Sequence, residues 1–80
     1  MKENEIPSQD EIKTIATEFP KGTRVVNVKM VDPRPVPPGA IGTVIYVDAI
    51  GQIHVSWDNG STLALIPIVD EFFKIKSLTG

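Results

Sequence analysis

Eighty residues with no cysteine allow one small domain and exclude both a disulfide framework and a thiolate zinc site, so packing alone must hold the fold. Hydrophobic residues at 41% and charged residues at 22% exclude disorder of the whole chain, and no run approaches the roughly 18 apolar residues of a membrane span. The net charge of −2 is uneven: residues 1–20 carry two lysines and five acids, residues 21–80 six Lys or Arg and five acids, so most of the chain is close to neutral and strong phosphate binding is disfavoured.

Residues 1–7 (MKENEIP) are polar and are expected to form a flexible N-terminus. They lack the apolar stretch of a signal peptide, which predicts a cytoplasmic protein. Ser8 and Glu11 make an S-x-x-E capping box, and Ile12, Ile15, Ala16 and Phe19 follow at three- and four-residue spacing, so a short amphipathic helix is predicted over 8–19. Pro20 and Gly22 end it. Three turns are marginal alone, so the stripe must pack either on the rest of the chain or on a partner, the second case making a helix-mediated dimer in place of a monomer.

From Thr23 the pattern becomes β. TRVVNVKM (23–30) is a strand with Val26, Val28 and Met30 on one face, and a bulge is expected where Val25 adjoins Val26. VDPRPVPPGA (31–40) holds four prolines, cannot join a ladder, and is expected to be an ordered, irregular loop. IGTVIYV (41–47) is the second strand, DAIGQ (48–52) a turn and IHVSW (53–57) the third strand, with Ile53, Val55 and Trp57 on one face. Asn59-Gly60 predicts a type I′ turn and hence a hairpin with a fourth strand, STLALI (61–66). IVDE (68–71) is a short turn before FFKIK (72–76), the fifth strand. The expected architecture is mainly β: a small five-stranded SH3-like barrel over 21–77 with a short N-terminal helix.

The motifs G-T-R-V (22–25), D-P-x-x-x-P-P-G (32–39), G-T-V-x-x-V-D (42–48), G-Q-I-H-V-x-W-D-N-G (51–60) and L-A-L-I-P (63–67) resemble an uncharacterised bacterial and phage family, domain of unknown function 4314. The resemblance spans residues 19–76, with W-D-N-G and A-L-I-P its most specific parts, and leaves the helix mostly outside. It implies an SH3-like barrel and association with phages or other mobile elements; no activity comes with it.

Trp57 is read as core, because so small a core needs its largest side chain, with an indole edge at the barrel rim. His54 lies on the opposite face and is expected to meet solvent. With no second histidine and no cysteine, neither a zinc site nor a nucleophile–base–orienter set assembles around it. Asp32, Asp48, Asp58, Asp70 and Glu71 all adjoin turns or loops and are expected to bond backbone N–H groups. No metal or cofactor is therefore expected. The proline loop suits a preorganised recognition surface as well as plain stiffening, with Arg34 and Val36 displayed between the prolines.

The leading expectation is a non-enzymatic interaction module that binds a protein or peptide through Arg34, Val36, Tyr46, Trp57 and Pro67. The alternative is a KOW-like nucleic-acid-binding module that uses Arg24, Lys29, Lys74 and Lys76 as one modest basic face, with few aromatics to support it.

Overall fold

The computed structural model describes residues 7–75; the expected flexible segment before Pro7, and Lys76 with the end of the expected barrel, lie outside the described residues. Helix α1 runs Gln9–Glu18. Its capping box forms in both directions: the Glu11 N–H donates to Ser8 Oγ at 3.1 Å and the Ser8 N–H to Glu11 Oε1 at 2.7 Å, satisfying two donors that the first turn would otherwise orphan. Phe19 closes the helix by donating its N–H to the Ile15 carbonyl. The apolar stripe is covered in part within the chain: Ile15 and Phe19 pack on the core and the Phe19 ring meets Phe72 edge-on at 5.5 Å, while Ala16 is exposed.

Four strands follow: β1 (Arg24–Lys29), β2 (Ile41–Val47), β3 (Ile53–Trp57) and β4 (Glu71–Lys74). They form one antiparallel sheet in the order β3-β2-β1-β4. The expectation of five strands in a closed barrel is thus corrected to a four-stranded sheet with one short helix. The missing strand is 61–66, which beyond the hairpin bond from the Trp57 N–H to the Ser61 carbonyl pairs with the β3 backbone through a single bridge, the Ile53 and Leu65 backbones exchanging bonds of 2.9 and 2.8 Å.

Local chemistry explains the loss. A type I′ turn needs Asn59 in the left-handed region, yet among the described residues no residue other than glycine has a positive φ. In this turn Gly60 alone does, at 95°, with its N–H on the Trp57 carbonyl and the Trp57 N–H on the Ser61 carbonyl. This is the three-residue hairpin in which a turn is followed by a left-handed glycine, not the predicted two-residue one. The turn at 48–52 repeats it with Gly51 at 87°. Beyond Ser61, side chains take up ladder groups: Trp57 Nε1–H donates to the Leu63 carbonyl at 2.8 Å and the Leu63 N–H donates to Ser61 Oγ at 3.3 Å. Such bonds compete with strand pairing and leave a bridge where a strand was expected.

The core gathers Val25, Met30, Val36, Val44, Ile53, Val55, Trp57 and Leu65. β3 alternates as predicted, but β1 faces the other way: Val25 and Asn27 point inward, and the register irregularity falls between Asn27 and Lys29, restoring Met30 to the core. Asn27 is buried because it clamps the proline loop, its Nδ2 donating to the carbonyls of Val36 at 3.1 Å and Pro37 at 3.2 Å. That clamp satisfies the nitrogen end of the amide and holds Asn27 inward with Val25, while Asn27 Oδ1 has no hydrogen-bond partner among the described residues.

Candidate functional site

The five positions expected to meet a protein partner divide. Val36 and Trp57 are 3% and 2% exposed, so both leave the surface; the rim role of Trp57 and the display of Val36 are corrected to core packing. The carbonyl of Leu63 also takes the indole N–H, so the polar end of Trp57 is satisfied inside. Arg34 is exposed on the proline loop, its backbone N–H bonded to Asp32 Oδ1. Tyr46 is 52% exposed, on β2 beside the β3 edge, whereas Pro67 lines a groove beside β4 at the other edge.

Tyr46 lies flat against His54, ring centroids 4.3 Å apart and planes 5° from parallel. His54 Nε2 in turn meets Asp48 Oδ2 at 2.8 Å. The histidine expected to face solvent is therefore half-buried in a three-residue stack. Burial works to raise the Asp48 carboxyl pKa, but the His54 bond and the N–H groups of Gln52 and Ile50 outweigh it and hold the group below its ordinary value. Among the described residues no side chain bonds the other ring nitrogen, so the pair orients an imidazole without joining it to a nucleophile.

The basic positions do not share a face. Arg24 is opposite Thr43 on the outer side of the sheet and is engaged by Asp58 in a two-pronged pair of 2.9 and 2.8 Å. This hydrogen bonding holds the Asp58 carboxyl below its ordinary range. Lys74 pairs with inward-facing Val25, and its ammonium sits 5.3 Å from the Phe19 ring centre, which places it on the other side of the sheet. Lys29 stands opposite Glu71, and Lys76 lies outside the described residues. A single basic face over these four positions is corrected accordingly. Of the acids, Asp32, Asp48 and Asp70 do bond backbone N–H groups, while Asp58 serves Arg24.

The β4 edge carries what the sequence reading missed. Beside it opens a groove of about 480 Å³ lined by Phe19, Val28, Pro67, Asp70, Glu71, Phe72 and Phe73. Phe73 is 64% exposed, and Val28, which lines the same groove, is exposed as well. Two adjacent phenylalanines in a strand cannot both face the core, because successive side chains alternate; that signal was present in FFKIK. Phe72 took the inner side against Phe19, leaving Phe73 outward. Asp70 anchors the start of the strand, accepting from Val31 N–H at 2.7 Å and from Ile66 N–H at 2.8 Å.

The backbone of β4 also has groups that point away from the sheet. The Ile75 N–H donates to the Arg24 carbonyl, so Ile75 and, two residues back, Phe73 spend their backbone groups on β1. The alternation of an antiparallel ladder then directs those of Phe72 and Lys74 away from it.

No curated protein and no solved structure matches this chain. A family profile does: the one described as domain of unknown function (DUF4314) matches residues 8–75. The chain belongs to that family, and the matched span starts at Ser8, so the capped helix is part of the family's domain and not an addition to it.

Proposed function

We propose that this member of the DUF4314 family is a non-enzymatic interaction module that captures a protein segment along the β4 edge. One observation carries the reading: an edge strand with outward backbone groups lies beside an apolar groove and an exposed Phe73. Strand addition at a sheet edge draws affinity from main-chain bonds and specificity from flanking pockets. Pro67 keeps its place in the expected surface; Phe73, Phe72 and Val28 replace Val36 and Trp57. The bridged segment 61–66, lying outside β3, supports reading the sheet as an opened SH3-like barrel whose fourth strand has shrunk to one pair.

The nucleic-acid alternative draws less support, since Arg24 is engaged by Asp58 and Lys74 lies across the sheet from it. Selection from a random-peptide display library, followed by amide-resolved NMR titration, tests the proposal. Shifts at Val28, Ile66 and 71–74 are expected. Binders that shift only the Tyr46–His54 stack or the Arg34 loop would overturn it. Mixed-sequence oligonucleotides that shift Arg24, Lys29 and Lys74 at low salt, and release with added salt, would restore the alternative.

A further inference from the structure

Resting on the reading of β4 as the binding edge, we infer that its partner is a second copy of the same chain, joined β4 to β4 about a two-fold axis with Phe73 opposite its own equivalent. The register follows from rules that leave little choice. Two antiparallel strands related by a two-fold axis place side chains of the same face opposite one another. Hydrogen-bonded pairs must form between residues whose backbone groups point outward, and on β4 these are Phe72 and Lys74, because Ile75 bonds Arg24.

Three symmetric registers satisfy both conditions. One opposes Lys74 to itself, and like charges directly opposite destabilise a pair. A second centres on Phe72 and sets Phe73 opposite Glu71, which leaves the most exposed large apolar side chain among the described residues, at 64%, against a charge. In the third, Phe72 of each copy exchanges both backbone bonds with Lys74 of the other, and the two Phe73 rings meet at the close, non-hydrogen-bonded position between them. The register centred on Lys74 also sets Phe73 against an apolar residue, Ile75, but only with the two lysines opposed; this one alone buries Phe73 against an apolar group without opposing like charges.

Electrostatics favour it as well. On the inner side it brings the lysine of one copy over Phe72 of the other, whose ring already packs edge-on against Phe19. The chain makes the same kind of contact internally, with its own Lys74 over Phe19, and cations are attracted to aromatic faces. Natural sheets blunt exposed edges with short strands and charges. β4 has four residues bounded by Glu71 and Lys74, yet Phe73 stands outward between them, a placement that edge protection does not explain and self-pairing does.

Sedimentation across a wide concentration range tests this, with hydrogen exchange read at single amides. A reversible dimer is expected, with protection of the Phe72 and Lys74 amides rising with concentration. Phe73→Lys should weaken it at least about thirtyfold, as for a central interface residue, while Phe73→Leu retains it; an unchanged amide spectrum elsewhere shows that both variants fold. A monomer at every concentration, or a dimer indifferent to Phe73→Lys, overturns the inference. If the chain stays monomeric while selected peptides still shift residues 71–74, only self-pairing fails; if neither occurs, the proposed binding edge fails with it.

Discussion

The two edges of this sheet are made from similar material and treated oppositely. At the β3 edge, a hairpin returns the chain along Trp57, the Ile53–Leu65 bridge occupies backbone groups of β3, and the indole N–H fastens the returning segment through Leu63. At the β4 edge, Asp70 fastens only the start of the strand, and the aromatic residue placed outward, Phe73, covers nothing described. The difference teaches where binding can occur without loss of the fold: one edge spends its largest side chain on the core, the other leaves one outside it.

The comparison breaks most easily at Trp57. Trp57→Ala should cost about 3–5 kcal/mol in denaturant unfolding, a large part of the stability of so small a domain. A loss below about 1 kcal/mol would mean that the β3 edge is not closed by this side chain.

Asp70→Ala comes next, because it leaves two backbone donors at Val31 and Ile66 without their acceptor; about 2–3 kcal/mol is expected. Hydrogen exchange should rise first at Val31, Ile66 and the start of β4, while β3 keeps its protection. Equal loosening at both edges would show that the two are not independent.

The smallest effect concerns acid. Asp48 has its pKa lowered in the folded state, with burial opposing and the His54, Gln52 and Ile50 bonds prevailing. Its contribution to stability is therefore present above the unfolded value, about 3.9, and is lost as pH falls through the lower folded value. Thermal unfolding of the natural chain and of Asp48→Asn between pH 5 and about 2 should converge toward the acid end. Curves that stay parallel would remove Asp48 from the acid response.

Much of the fold was legible because it is local. The capping box needed only Ser8 and Glu11, three residues apart; strands 41–47 and 53–57 were bounded by their own turns and match the structure to the residue. The inward set Ile53, Val55 and Trp57 followed from alternation alone. The candidate site was legible only in Pro67. Val36 looked displayed because it stands between prolines, and nothing near it in the chain announces that Asn27 draws its carbonyl, and with it the side chain, into the core.

The sequence by itself determined the helix and its start, the position of the long loop, the two central strands and the role of Trp57 as core, since each depends on spacing within a few residues. Tertiary structure decided the face of β1, the reduction of 61–66 to a bridge, the separation of Arg24 from Lys74, and which phenylalanine of β4 meets solvent. Those outcomes depend on partners far away in the chain, Asn27 with Val36, Trp57 with Leu63, Val25 with Lys74, and Phe19 with Phe72. Side-chain periodicity states that a strand has two faces; only the groups waiting on each side choose between them.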